Sequence, residues 1–210
     1  MDTAQRQLSD QIDQATQRLL DTARVITEPD LRAPSMLPGW TRAHVLAHLA
    51  RGADAMRNLL VGVRSGQDRS AYASAEAWQA DIEYRAGLRP KELADDLANS
   101  AMALRAVARQ LPDERWRDPV LIPGSASFPA AELLLRRLVE VELHHCDLGA
   151  GYTPADWPPA FSTMELAEPM RSQRADRLAS TRTAEPLAPV RPPAPYRPNQ
   201  RLPGSWLGTR

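Results

Sequence analysis

Glu140 and His144 stand four residues apart in the run Arg136-Arg137-Leu138-Val139-Glu140-Val141-Glu142-Leu143-His144-His145-Cys146-Asp147-Leu148-Gly149. On a helix both side chains leave the same face, one turn apart. A carboxylate and an imidazole so placed can grip one metal ion. Besides the adjacent His145, the histidines are His44 and His48, far upstream in a second apolar segment. If that segment is a helix packed beside the first, His48 completes a His/Glu/His set. Two imidazoles and a carboxylate, with no fourth protein ligand evident, match an open zinc site. Nickel, iron or manganese accept the same donors. A metal with an open position ionises either a bound water or a bound thiol.

Each of these residues also has a plainer reading. A histidine on a buried helical face is more often a hydrogen-bonded core residue than a ligand. Glu140 lies in the stripe Leu133, Arg137, Glu140, Val141, His144, where an unpaired carboxylate is expensive to bury. Arg136 or Arg137, one turn away, could pair it. His144 on the same face and His48 on another apolar helix together tip the balance towards metal. His44 precedes His48 by four residues, so a two-plus-two arrangement stays open, although its first-turn position favours solvent. Asp147, one turn after His144, can orient the second ring nitrogen from behind or serve as an ordinary C-terminal polar residue. His145 points about 100° away from His144 and falls outside the set. Cys146 reads as a small packed hydrophobe, and the tryptophans, Trp40 included, as core and loop anchors.

The elements that must position these residues are helical. Leu8, Ile12, Ala15, Leu19, Ala23 and Ile26 form an apolar stripe over residues 4–27, stopped by Glu28-Pro29-Asp30. Residues 31–40 read as a loop. Thr41 is an N-cap for a second helix, striped by Val45, His48, Leu49, Gly52, Met56, Leu59 and Leu60. A shorter helix is expected over 73–86, and Pro90 opens another, carrying Leu93, Leu97, Met102, Leu104 and Val107. A long connection over 112–126 holds a short extended piece near Val120 to Ile122. Ser127-Phe128-Pro129 then opens the fourth long helix, closed by Gly149. The expected architecture is an all-α, antiparallel four-helix bundle over residues 1–160. Residues 161–210 are expected to be an atypical, poorly ordered tail. Phe161 to Leu178 could still form helix, whereas the proline- and arginine-dense end from Ala184 cannot build a core.

Composition narrows the partners. Lys plus Arg and Asp plus Glu both number 26, so nothing draws the chain to nucleic acid or an anionic membrane. No stretch approaches the roughly 20 apolar residues of a membrane span. The polar start MDTAQRQLSDQIDQ is no signal peptide, and one cysteine allows no internal disulfide. A cytoplasmic protein is expected. Lys91 is the sole lysine, a bias that suits a GC-rich genome.

Leu37-Pro38-Gly39-Trp40-Thr41 leading into Val45-Leu46-Ala47-His48-Leu49, together with Arg137 through Gly149, resembles the mycothiol-dependent maleylpyruvate isomerase family. The resemblance covers about residues 5–160 and implies a DinB-like four-helix bundle. It implies that His48, Glu140 and His144 are metal ligands, with zinc the usual ion. It implies mycothiol as thiol cosubstrate in an actinobacterial cytoplasm. In that family the metal favours the thiolate, which adds to the cis double bond of maleylpyruvate. Rotation about the resulting single bond and loss of the thiol give fumarylpyruvate. The family's smaller C-terminal domain, with its arginine, has no counterpart in the tail of this sequence. No catalytic residue is therefore assigned.

The expected function is a metal-dependent, thiol-using isomerase-like enzyme acting on a small electrophile, with Asp147 and His44 as residues behind the ligands. A homodimer is compatible with the sequence. The rivals are a detoxifying thiol transferase, a metal-binding module without catalysis, and a buried polar network without metal. Helical facing separates the adjacent histidines: His144→Ala should lower zinc affinity by orders of magnitude in a chelator competition, and His145→Ala should barely change it. Equal losses would show the facing to be wrong.

Overall fold

Four long amphipathic helices carry the architecture, and their ends follow from local chemistry. The coordinates are a computed structural model, which describes residues 1–122 and 127–180. Helix α1 (Thr3–Val25) starts at Asp2, whose carboxylate accepts the Gln5 amide while the Gln5 side chain accepts the Asp2 amide. Helix α2 (Glu28–Arg32) follows at once, capped by Thr27. Helix α1 does end before Glu28-Pro29-Asp30, but Pro29 then sits in the first turn of a second helix that runs into the expected loop as far as Arg32. Helix α3 (Arg42–Ser65) is capped by Thr41 and closes on Gly66 in the left-handed region, at φ 67°. Helix α4 (Ala75–Ala86) is capped by Ser74, and α5 (Pro90–Gln110) begins on its proline.

Between α5 and the next long helix, β1 (Pro119–Val120) and β2 (Phe128–Pro129) pair antiparallel, Pro119 opposite Pro129 and Val120 opposite Phe128. Ser127-Phe128-Pro129 is thus not a helix start. The ladder continues into Ala130, whose amide donates to the Asp118 carbonyl, and α6 (Glu132–Asp147) starts only afterwards. Two-residue strands are too short to show an alternating pattern. Beyond α6 lie α7 (Pro159–Ser162) and α8 (Met170–Ser180).

Helix α3 packs on α4, α5 and α6, and α1 packs on α5 and α6. The core between them gathers Leu19 of α1, Leu46, Leu49, Met56 and Leu60 of α3, Leu93 and Leu97 of α5, and Leu138 and Val141 of α6. Every residue of α6 from Arg137 to Asp147 is buried, because α1, α3 and α8 all contact it. Described structure continues past residue 160, where Phe161, Leu166 and Met170 are buried and α8 lies on α6. The tail from 181 onward lies outside the described residues. No described helix is long and apolar enough to cross a membrane.

Helix α5 offers an internal control on how the core holds. Leu97 is fully buried and Met102 is 60% exposed. Leu97→Ala should destabilise the fold by about 2–5 kcal/mol, and Met102→Ala by under about 0.5 kcal/mol. Denaturant melts of the two variants check this.

Candidate metal centre

A helix buried on all sides must find a partner for each polar group it carries, since an unpaired buried charge is costly. Helix α6 carries six such side chains between Arg137 and Asp147. Glu142 accepts from Arg18 Nη2 and from the Tyr152 hydroxyl, each at 2.6 Å. His145 meets Thr22 Oγ1 at 2.8 Å and stacks on Tyr152 with ring centroids 3.8 Å apart. Burial holds its imidazole neutral, with a pKa lowered to about 4. His145 therefore faces α1, away from the other histidines.

Arg137 Nη1 donates to the Leu49 carbonyl at 2.9 Å and to Glu140 Oε2 at 3.0 Å. The pairing foreseen for Glu140 is thus made by Arg137, while Arg136 turns to Glu132. Asp147 Oδ2 lies 2.8 Å from His144 Nδ1, and Arg177 of α8 grips the same carboxylate with Nε at 3.1 Å and Nη2 at 2.8 Å. Burial opposes ionisation of Asp147, but the His144 hydrogen bond and the Arg177 charge outweigh it and hold its pKa below the usual range.

After these pairings three polar atoms on α6 have no hydrogen-bond partner: Arg137 Nη2, Glu140 Oε1 and His144 Nε2. Across the α3–α6 interface, both ring nitrogens of His48 are unpartnered as well. His48 Nε2 stands 3.5 Å from Glu140 Oε1, and the His48 and His144 rings meet edge-on at 4.9 Å. Their exposures are 1%, 0% and 1% for His48, Glu140 and His144. Burial, reinforced by His144 and Arg137, holds the pKa of His48 well below that of a free imidazole. One of its two nitrogens therefore keeps a basic lone pair.

Among the described residues no three His, Cys, Asp or Glu side chains stand close enough together, as placed, to hold a metal ion. The fit to a divalent cation is one of chemistry: two imidazole nitrogens and one carboxylate oxygen, dry, adjacent and otherwise unsatisfied. Trp40 and Trp78 stand against the His48 ring at 5.3 and 6.0 Å, a wall the sequence reading treated only as core. His44 takes another part. Its Nδ1 lies 2.7 Å from Thr41 Oγ1 at the start of α3, and its Nε2 lies 3.0 Å from Glu83 Oε2. It completes a helix cap and a hydrogen bond to Glu83 rather than backing the cluster. Cys146 is buried, and desolvation pushes its thiol up to about 12.

These features define a class: an all-α bundle that keeps two imidazoles and a carboxylate, buried and partly unsatisfied, between two of its long helices. The family model of the mycothiol maleylpyruvate isomerase N-terminal domain matches residues 12–149, and the chain belongs to that family. Comparison with curated proteins gives no match. Among solved structures, the crystal structure of the mycothiol-dependent maleylpyruvate isomerase is 30% identical, with a TM-score of 0.70. A histidine-to-alanine mutant of that enzyme gives 29% and 0.70. Each match covers 73% of this chain and 64% of the other. The DinB-like, all-α fold expected from the resemblance is the fold observed.

Gly52 lets the two helices approach this closely. A Cβ built on it would sit 2.6 Å from Glu140 Oε1 and 3.0 Å from Oε2. The carboxylate is pinned by Arg137 and has no solvent to move into. Alanine would favour the helix by about 1 kcal/mol, but the overlap costs about 1–3 kcal/mol. Gly52→Ala should therefore lower the thermal midpoint of the metal-free protein. A raised midpoint would show that Glu140 moves aside freely.

Proposed function

We propose that the chain is a metal-dependent, thiol-using enzyme of the maleylpyruvate isomerase type, with His48, Glu140 and His144 as the ligands of a divalent ion, zinc foremost. The observation that carries this reading is that His48 Nε2 lies 3.5 Å from Glu140 Oε1 and the His48 and His144 rings meet at 4.9 Å, with His48 Nε2, Glu140 Oε1 and His144 Nε2 all buried and without hydrogen-bond partners. Membership of the mycothiol maleylpyruvate isomerase family supports the thiol and the electrophilic substrate. When bound, such an ion favours thiolate over thiol at neutral pH.

The chain's own residues do the rest. Arg137 occupies Glu140 Oε2 and leaves Oε1 to face the histidines. An ionised carboxylate only accepts hydrogen bonds, so Asp147 requires the proton of His144 on Nδ1, leaving the Nε2 lone pair bare. Trp40 and Trp78 keep water from the far side of His48. The partners are a small thiol of the mycothiol kind and an electrophile with an activated double bond. Addition of the thiolate turns that double bond into a single one, which rotates before the thiol leaves.

Elemental analysis and cobalt substitution test the proposal. About one zinc-type ion per chain is expected, and mycothiol should raise a thiolate-to-cobalt absorption band. Metal without that band would favour a binding module without catalysis. Protein that takes up no metal would reduce the cluster to a buried polar network.

A further inference from the structure

Helix α8 lies outside the family-matched residues 12–149, yet it reaches the cluster. Arg177 grips Asp147 through both Nε and Nη2, and the carboxylate oxygen that accepts from Nη2 also accepts from His144 Nδ1. A forked guanidinium–carboxylate pair fixes a carboxylate's plane more firmly than one contact does. Asp147 is also the last residue of α6, where the negative end of the helix dipole disfavours an anion. It thus has a standing need for a cation, and Arg177 supplies it from a helix distant in sequence.

We propose that Arg177 is a positioning residue of the metal centre: by locking Asp147 it sets the orientation of the His144 ring and presents Nε2 to His48 and Glu140. The proposal rests on the reading of His144 as a ligand. Holding α8 in place does not explain the pair, because α8 has anchors of its own. Met170 is buried at its start, and Arg174 Nη1 donates to the Phe161 carbonyl at 2.7 Å. Side-chain exposure separates the two roles as well: the pair sits at 17% for Arg177 and 5% for Asp147, inside the packing rather than at its rim.

The test is zinc affinity of the full chain, by chelator competition, for the native protein, Arg177→Met, Arg177→Lys, Asp147→Ala and the double variant Arg177→Met/Asp147→Ala. Each of Arg177→Met and Asp147→Ala should lose about 10–100-fold in affinity. The double variant should lose no more than Asp147→Ala alone, since Arg177 acts through Asp147. Arg177→Lys should recover part of the loss, and cobalt spectra of Arg177→Met should shift; its metal-free melting midpoint should also fall, because Asp147 then lacks its counter-ion. Native affinity in Arg177→Met, or losses that multiply in the double variant, would overturn the proposal. A native chain that binds no zinc is a different result: it removes His144 as a ligand, and the role of Arg177 with it.

Discussion

The structure depends on burying one helix that is not apolar. Between Arg137 and Asp147, α6 carries one arginine, three carboxylates and two histidines, and all six side chains are buried. A buried charge must be paired, and a buried imidazole must be kept neutral or bonded. The surrounding elements are therefore not interchangeable apolar walls. Helix α1 has to bring Arg18 to Glu142 and Thr22 to His145, α3 has to offer the Leu49 carbonyl to Arg137, and α8 has to bring Arg177 to Asp147. Each pairing fixes a register between two helices, which apolar packing alone leaves looser.

The same accounting singles out the candidate centre. The partners on α6 are distributed so that Glu140 is held at one oxygen and His144 at one nitrogen. The free oxygen of Glu140 lies 3.5 Å from His48 Nε2, and the His144 ring meets the His48 ring edge-on. A polar network built only for stability would close on itself, because half-satisfied buried groups cost more than apolar replacements. The unsatisfied remainder is concentrated at the α3–α6 interface, where Gly52 has removed the side chain that would keep the helices apart.

Much of this was legible in the sequence. The long helices follow from three- and four-residue apolar spacing and from Thr41 and Pro90 as starts. The neighbourhood of His48, Glu140 and His144 follows from helical facing once two helices are assumed to pack. Other features were hidden for definable reasons. Helix α2 is hidden because the place of Pro29 inside a first turn depends on Thr27 adopting an extended cap. The β1–β2 ladder is too short to have a period. Gly52 sits in the apolar stripe like any small core residue, and only the approach of Glu140 distinguishes it. Arg177 belongs to a segment whose arginines look alike in sequence, and its partner lies 30 residues away. His44 shares the spacing of a ligand pair with His48, but its position at the third residue of α3 turns it to the cap.

The pairing of Arg18 with Glu142 joins residues 124 positions apart. At a synthesis rate of 5–20 residues per second, roughly 6–25 s separate their appearance on the ribosome. For that interval α1 has no α6 to cover it, and α6 itself meets its last counter-ion only when α8 is made. The core helix thus completes late, and the order of synthesis makes the emerging chain's exposed interval longest for its first helix.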